Sequence, residues 1–379
     1  MAHLAPSPDQ AARLRSRMRR LTMASLAAEL AVLSGWTVLQ FTWAQGRGLP
    51  SWDWTGPLAV HAGIALAASI ALQAPAQVAW ATAQRRLAGK APTVALAALA
   101  VLSPLTRVVV TCGALLMIVV PFALLGWPGL AVTAGLATLP SLASWGRVLL
   151  SGRPARPARG TRKQLKKLQG LTERLGLPGA DIRLVSFPGA EYLSVSTWRS
   201  GRPVIAMDPA IHQLLDEREL AVITSHEVAH IRLHHLRWTF LGDVMGHLAR
   251  AAAGTAMVLP LAFSAGTWQL RVLLYLPVMV LAYRLAEWVW WPMELAISRR
   301  QERQANLWAL RATGDPAAFT SAMTKMAEHM GATQRIAWWE RWFIATHPSL
   351  EELLAQARQF AHQQGIPLDN PPQKEQPNR

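Results

Sequence analysis

The sequence predicts a mainly α-helical membrane protein, with about six transmembrane helices and a cytoplasmic α+β domain that a transmembrane hairpin interrupts. Hydrophobic residues make up 51% of the 379 residues, and charged residues only 16%. The apolar residues lie in blocks of about 20, roughly the length that a helix needs to cross a bilayer, between residues 21 and 150 and again between 251 and 292. A soluble core seldom needs so many apolar residues in such long runs.

The basic residues lie between these apolar blocks. The net charge is +16, and residues 153–167 alone supply seven lysines and arginines. Five arginines precede the first block. Basic loops that alternate with neutral ones face the cytoplasm, which places the N-terminus inside. Because no aromatic-interleaved basic motif accompanies the charge, we expect the lipid bilayer as a partner and no nucleic acid.

The N-terminal part divides into a basic segment and a run of apolar blocks. Residues 1–20 are expected to form a basic cytoplasmic tail, and residues 21–150 a transmembrane region of about four spans. No small-residue cleavage site follows the first block, so we expect an uncleaved anchor. Residues 92–103 are compatible with an interfacial or re-entrant helix. The expected spans are Leu21–Trp43, Pro57–Trp80, 106–126 and 128–149.

Residues 151–238 have the composition of a soluble domain. Leucines at helical spacing predict a helix that ends at Gly176. Three strand-like runs follow, of which the last two predict a hairpin. Asp216 and Glu219 have the spacing of a capping box, which predicts the start of a helix that runs through the 220s and 230s. The expected strands are Asp181–Ser186, Glu191–Trp198 and Pro203–Met207.

A second apolar section, residues 239–292, predicts a transmembrane hairpin within the soluble domain. Its second span ends in tryptophans, which are common at the lipid interface. The domain resumes over residues 293–365, with helices predicted at Ser298–Ala312 and Asp315–Met330. Residues 366–379 are expected to be a disordered tail.

The most informative segment is the HExxH sequence at residues 226–230. On a helix, His226 and His230 project from the same face one turn apart, so two imidazole nitrogens can reach one zinc ion. Glu227 stands beside them, where its carboxylate can take a proton from the water that attacks a peptide carbonyl. The one cysteine, Cys112, lies in an apolar block, which excludes a cysteine-ligated zinc site.

A third zinc ligand has to come from elsewhere in the chain. A histidine at the metzincin spacing would fall at Leu236, which excludes that class. His234 lies one further turn along the same helix face, too far to complete a tetrahedron easily. Glu302, on a second predicted helix, offers a carboxylate, and Asn306 one turn later could orient a ligand imidazole. Taken alone, Glu302 is better explained as a solvated charge among arginines.

Three motifs in this order resemble the HtpX-like and CAAX prenyl protease family of membrane zinc peptidases. They are the HExxH sequence, the segment Ser298–Asn306 after a membrane hairpin, and Thr346-His347-Pro348-Ser349. The resemblance covers roughly residues 160 to 360. It implies a zincin-like catalytic domain with one zinc ion per chain, Glu302 as the third ligand and His347 in the active site, steadying the oxyanion. It also implies that the edge strand Glu191–Trp198 binds the substrate backbone by strand addition.

Some of these residues also have simpler explanations. His347 precedes Pro348 and a capping box of Ser349 with Glu352, so it could be a helix-entry residue. An aromatic cluster shortly before it could wall a substrate cleft or rest on the membrane surface. The cluster comprises Trp338, Trp339, Trp342 and Phe343.

Two residues depart from the family pattern. Asn306 stands where the family usually has an aspartate, so its amide oxygen can still accept a hydrogen bond from an imidazole but carries no negative charge. Weaker zinc binding or lower activity would follow. Leu353 occupies a place where an arginine is common.

The sequence therefore predicts a zinc endopeptidase that cleaves protein or peptide substrates in or near the membrane, for quality control or processing. Its expected location is the bacterial plasma membrane, with several spans and the catalytic domain in the cytoplasm. The alternative is a catalytically silent or regulatory membrane sensor or scaffold that retains the peptidase fold. Asn306 is the residue that keeps this alternative open.

Overall fold

The computed structural model describes residues 8–45, 127–150, 161–184, 194–199, 202–257, 268–329 and 336–368, with single positions between residues 64 and 125. The chain divides into two compact units. The first comprises Met1–Gly146 and Thr239–Glu294, and the second comprises Arg147–Trp238 and Leu295–Arg379.

Helices dominate both units, and a small sheet belongs to the second. The helices are α1 (Pro8–Gln45), α2 (Trp127–Leu150), α3 (Thr161–Arg174), α4 (Ile211–Leu214), α5 (Glu217–Arg232), α6 (His235–Ala256), α7 (Trp268–Thr313), α8 (Pro316–His329), α9 (Trp338–Phe343) and α10 (Leu350–Gln364). The strands are β1 (Asp181–Leu184), β2 (Ser194–Arg199) and β3 (Arg202–Met207).

Helix α1 is the clearest candidate for a membrane span. Its segment Ser16–Leu39 has 24 residues and a mean hydropathy of 1.4, and among the described residues it is the one helix long and apolar enough to cross a bilayer. Helix α1 begins at Pro8, so the arginines of the expected basic tail lie in this helix, and the cytoplasmic tail of residues 1–20 stays a prediction. Helix α2 covers the predicted span 128–149. The expected total of about six spans stays a prediction.

Several other predictions fall on residues that the structure does not describe in full. The span Pro57–Trp80, the span 106–126 and the segment 92–103 lie largely or wholly outside the described residues. The same holds for residues 369–379 of the predicted tail, whereas Ile366 packs against the core of the second unit.

Two buried charged side chains of the first unit, Glu29 and Arg284, form an ion pair. The Nε atom of Arg284 lies 3.3 Å from Glu29 Oε1, and its Nη1 donates to Glu287 Oε2 at 2.7 Å. Glu29 is 1% exposed and Arg284 is 6% exposed. Burying such charges is costly unless each has a partner. Because Glu29 belongs to α1 and Arg284 to α7, this ion pair links the two helices within the unit.

The described residues of the second unit include a sheet of three strands in the order β1-β3-β2. Strand β3 pairs parallel with β1 and antiparallel with β2, with Val204 opposite both Asp181 and Thr197. The predicted β2–β3 hairpin is therefore confirmed, and β2 lies at an edge of this sheet. Helices α3, α5, α7, α8 and α10 contribute to the same core, whose fully buried side chains include Ile205, Met207, Leu220, Ile223, Leu310 and Phe319.

Local sequence signals set where the helices of the second unit begin and end. Glu219 N–H donates to Asp216 Oδ1 at 2.9 Å, and Asp216 N–H donates to Glu219 Oε2 at 2.8 Å, which confirms the capping box at the start of α5. Ser349 and Glu352 form the same arrangement before α10. Gly176 lies just after the end of α3. Its φ is +74°, a backbone conformation that costs glycine little.

Two helices differ from their predicted extents. The helix expected to run through the 230s breaks after Arg232, because His234 adopts a left-handed backbone with φ 57°, and α6 begins at His235. Helix α7 joins the second apolar stretch to the predicted helix Ser298–Ala312 without interruption. A left-handed residue other than glycine is uncommon, and its position one turn after the HExxH sequence is relevant to the site.

Candidate metal centre

Helix α5 presents the HExxH side chains from a fixed position. Its apolar residues Val222, Ile223 and Val228 are almost fully buried in the core of the second unit. The opposite face carries His226, Glu227 and His230. Because the core fixes the rotation of the helix, both imidazoles face the same point one turn apart.

The structure brings a carboxylate from α7 to the two imidazoles. His226 Nε2 and His230 Nε2 lie 3.0 Å apart. The carboxylate of Glu302 lies 3.5 Å from His226 Nε2 through Oε2 and 3.4 Å from His230 Nε2 through Oε1. One ligating atom from each of these residues lies within 4.8 Å of the others.

These distances fit a tetrahedral zinc ion. With zinc–ligand bonds of 2.0 to 2.1 Å, neighbouring donor atoms are separated by about 3.3 Å, close to the three measured values. The donor set also fits, because two nitrogens and a carboxylate are usual zinc ligands that leave one position open. The residues present therefore suit the metal that the sequence predicts.

The electrostatics of the three groups differ. Burial lowers the pKa of His230 to about 3, and the neighbouring His226 adds to this effect, so His230 is neutral at physiological pH. Burial also lowers the pKa of His226. The hydrogen bond and the charge of Glu302 together raise this pKa by more than burial lowers it, so it lies above its ordinary value. Burial raises the pKa of Glu302, whereas His347 and His226 hold it well below its usual range. Glu302 is therefore a carboxylate.

The outer nitrogens of the two imidazoles have different surroundings. His230 Nδ1 lies 3.1 Å from His235 Nδ1, and His235 Nε2 lies 3.2 Å from Gln304 Oε1. Within the described part of the chain, the buried Nδ1 of His226 has no partner at hydrogen-bonding geometry. Asn306 is nonetheless among the groups that raise the pKa of His226.

Asn306 is buried at the position expected beside the ligands. Its side chain is 1% exposed, and its Nδ2 donates to Gln356 Oε1 at 3.4 Å. The Nε2 of Gln356 in turn donates to the backbone oxygen of Arg303 at 2.7 Å. Asn306 thus helps to fix α7 against α10 near Glu302.

Glu227 is buried beside the imidazoles and held by the sheet. The hydroxyl of Ser194, the first residue of β2, donates to Glu227 Oε1 at 2.7 Å. Glu227 is 5% exposed. Sequence reasoning included Ser194 only as part of an edge strand and did not connect it with Glu227.

His347 joins the site through Glu302. Its Nδ1 lies 2.9 Å from Glu302 Oε2, and 60% of its side chain is exposed. Desolvation lowers the pKa of His347, but the charge of Glu302 and its hydrogen bond raise it further. The two effects of Glu302 together outweigh desolvation, so the pKa of His347 lies above its ordinary value.

The strand expected to bind substrate is present at the site. Strand β2 covers Ser194–Arg199, so it includes most of the predicted segment Glu191–Trp198, while residues 191–193 lie outside the described residues. Its pairing with β3 is continuous from Ser194 to Arg199. The hydrogen bond from Ser194 to Glu227 places the start of this edge strand next to the HExxH sequence.

These features are those of the HExxH metalloproteases. They are a helix that presents two imidazoles, a carboxylate from a later helix and a neighbouring edge strand. Residues 195–361 match the sequence profile of peptidase family M48, and the chain therefore contains a domain of this family. The resemblance drawn from the three motifs is confirmed.

A solved structure extends the comparison beyond this domain. The chain is similar to the crystal structure of S. mikatae Ste24p, with a TM-score of 0.62 and 15% sequence identity. The similarity covers 92% of this chain and 88% of that chain. At this identity it establishes a shared fold over nearly the whole length.

Proposed function

We propose that this protein is a membrane-embedded, zinc-dependent endopeptidase that hydrolyses peptide bonds of membrane or membrane-proximal proteins. The observation that carries the proposal is the convergence of His226, His230 and Glu302, whose ligating atoms lie within 4.8 Å of one another. Membership of peptidase family M48 supports the reaction class. The apolar helix α1 and the fold shared with Ste24p support a membrane location.

His226, His230 and Glu302 would hold the metal. A bound zinc ion supplies a Lewis acid that polarises the scissile carbonyl and acidifies water. Glu227 takes the proton of the attacking water as general base and then donates it to the leaving amine. The hydrogen bond from Ser194 directs the carboxylate of Glu227 for this transfer.

His347 is proposed to act on the substrate oxygen. Its imidazole is hydrogen-bonded to Glu302 through Nδ1 and is largely exposed, so the rest of the ring is open to a bound substrate. The raised pKa favours the protonated form, which can donate a hydrogen bond to the oxyanion that develops during attack.

Strand β2 is proposed to align the substrate. One edge of β2 pairs with β3, and an extended peptide can add to its other edge by backbone hydrogen bonds. Such binding is tolerant of sequence because it uses the main chain. It would suit a protease that degrades or processes varied membrane proteins.

Metal analysis together with a base variant tests the proposal. Purified protein should hold about one zinc per chain, and Glu227→Gln should keep the zinc while cleavage of an unfolded membrane-protein substrate falls about 10²- to 10⁴-fold. Glu217→Gln is the matched control, since Glu217 is an exposed carboxylate on the same helix. Protein without zinc, or a Glu227→Gln variant that cleaves normally, would refute the proposal.

A second candidate is a catalytically silent or regulatory scaffold. The uncharged Asn306 favours it, because a neutral neighbour does less to strengthen a ligand imidazole than an aspartate does. This candidate predicts neither stoichiometric zinc nor any effect of Glu227→Gln. The same experiment therefore separates the two functions.

A further inference from the structure

His235 is a buried histidine that the proposed mechanism does not use. It is 3% exposed and is the first residue of α6. On a continuous helix His235 would lie five residues beyond His230 and face away from it. The left-handed backbone of His234 breaks the helix and turns the His235 ring toward His230, with ring centroids 5.0 Å apart.

The contacts of His235 have a single consistent arrangement of protons. If His230 binds a metal through the lone pair of Nε2, its Nδ1 must carry the hydrogen. That N–H then donates to His235 Nδ1 at 3.1 Å, which must be an acceptor. The hydrogen of His235 is therefore on Nε2, where it donates to Gln304 Oε1 at 3.2 Å.

Two side chains of α7, Gln301 and Gln304, contact His235. The amide nitrogen of Gln301 reaches the His235 backbone oxygen at 3.5 Å. Gln301 and Gln304 flank Glu302 on α7, so the helix that supplies the carboxylate also holds His235 in place.

We propose that His235 is a positioning residue for the metal centre: it fixes the tautomer and ring orientation of His230, with Gln304 holding His235 in turn. This inference rests on the proposed zinc site and deepens it. A ligand imidazole whose second nitrogen is hydrogen-bonded is a better and more rigid ligand.

Two substitutions of His235 distinguish positioning from packing. His235→Asn keeps an acceptor near the place of Nδ1, whereas His235→Leu fills the buried space without any acceptor. If His235 only packs, leucine should be tolerated and asparagine should be worse, because a buried polar group is less favourable there. If His235 positions His230, the order is reversed.

The measured quantity is zinc affinity, determined by competition with a chromogenic chelator on detergent-purified full-length protein. We expect His235→Leu to weaken zinc binding about 10- to 100-fold and His235→Asn to stay within about threefold of the unchanged protein. His234→Asn is the control, because His234 is exposed and asparagine tolerates its left-handed backbone. Equal zinc affinities of the leucine and unchanged proteins, or a leucine variant that binds more tightly than the asparagine variant, would overturn the inference.

Gln304 provides a second test that does not disturb the core. Its side chain is exposed, so Gln304→Ala and Gln304→Glu should both fold. Glutamate would polarise His235 more strongly and tighten zinc binding, while alanine would loosen it, each by about threefold to tenfold. No difference between the two variants would contradict the proposed relay. Unchanged protein that binds no zinc would instead refute the proposed function itself.

Discussion

At the scale of single residues, the two imidazoles that we propose as metal ligands, His226 and His230, differ in protonation in the metal-free protein. His230 has a pKa of about 3 and is neutral over the physiological range. The pKa of His226 is raised by Glu302 and lies above its ordinary value. A metal must therefore displace a proton from His226 at mildly acidic pH but not from His230.

This difference predicts a pH-dependent zinc affinity. Below the raised pKa of metal-free His226, binding should release about one proton and weaken about tenfold for each unit of pH decrease, and well above that pKa it should become independent of pH. Calorimetric titration of zinc in buffers with different ionisation enthalpies measures the released protons. His347 is the other imidazole whose pKa Glu302 raises, so the same titration of His347→Gln separates its protons from those of His226. Proton release that does not differ between pH 6 and pH 9 would contradict the assignment.

The hydrogen bond between Ser194 and Glu227 predicts a defect in catalysis without a defect in metal binding. Ser194→Ala removes the donor at 2.7 Å and lets the carboxylate rotate, so kcat should fall about tenfold while zinc content stays the same. Ser194→Thr retains a hydroxyl on the strand and should recover most of the activity. Steady-state kinetics and metal analysis of the two variants check this. Loss of zinc in Ser194→Ala would mean that Ser194 supports the fold instead.

The sequence was sufficient for some site residues and insufficient for others. His226, Glu227 and His230 follow from helical spacing alone, because residues four apart share a face. Glu302 required the resemblance to a family, since nothing in its own neighbourhood distinguishes a ligand from a solvated carboxylate. His235 could not be predicted, because its contact with His230 depends on the left-handed backbone of His234.

At the scale of the helices, the start of α5 combines a cap with a buried ion pair. Glu219 is 2% exposed, and its carboxylate accepts hydrogen bonds from Ser321 and Lys325 of α8 in addition to its own cap. Burial raises the pKa of Glu219. The hydrogen bonds from Lys325, Ser321 and the Asp216 backbone together lower this pKa by more, so it lies below its ordinary value. These contacts tie the HExxH helix to α8.

Glu219→Gln should therefore destabilise the second unit by about 1–2 kcal/mol at neutral pH. Because the folded-state pKa is below the unfolded value, the carboxylate's contribution is complete above the unfolded pKa and is lost as the pH falls through the folded pKa. Thermal unfolding of both proteins from pH 7 downward measures the difference, which should shrink in acid. Glu217→Gln, on the exposed side of α5, should change little. A difference that grows in acid would contradict the lowered pKa.

Arg299 connects helix α7 with the loop that carries His347. Its buried Nη1 donates to the backbone oxygens of Arg341 at 2.6 Å and Ala345 at 2.7 Å, and Ser298 Oγ donates to the Thr346 oxygen at 3.0 Å. The loop is therefore fixed by the residues that immediately precede Glu302. These contacts explain how His347, far along the chain, comes to lie against Glu302.

Arg299→Met should release this loop without removing any ligand. The two carbonyls lose their buried donor, so hydrogen exchange of residues 338–349 should accelerate and kcat should fall about tenfold at unchanged zinc content. Arg300→Met is the matched control, because the neighbouring side chain is exposed. Hydrogen exchange with mass spectrometry, together with kinetics, checks both expectations. Unaltered exchange in Arg299→Met would show that the loop is held by other contacts.

Helix ends illustrate which features of an element the sequence can encode. The capping boxes at Asp216 and Ser349 are short-range hydrogen-bond patterns, and the sequence predicted both. The unbroken course of α7 was not predicted, because the change from apolar to charged residues near position 295 resembles a boundary although the backbone continues. Composition reports the surroundings of a helix, whereas its continuity depends on backbone hydrogen bonds.

At the scale of the whole molecule, the fold match covers more of the chain than the family match does. The peptidase family M48 profile begins at residue 195, but the fold shared with Ste24p covers 92% of the chain. The shared fold therefore extends to residues that precede the family domain. Such an N-terminal part needs apolar blocks of suitable length more than particular side chains, which explains why the sequence there indicates spans but no motif.

Basic residues 153–167 lie between the N-terminal apolar blocks and the metallopeptidase domain, and they predict that this domain faces the cytoplasm. A Cys112→Ser background permits the test with single cysteines at Ser51, in the weakly charged loop after the first block, and at Ser151, beside the basic run. In intact bacterial cells a membrane-impermeant maleimide should label Ser51→Cys, and it should label Ser151→Cys only after permeabilisation. Equal labelling of both variants in detergent is the control. Because a short basic loop is costly to translocate, labelling of Ser151→Cys alone in intact cells would place the peptidase domain outside and overturn the proposed cytoplasmic orientation.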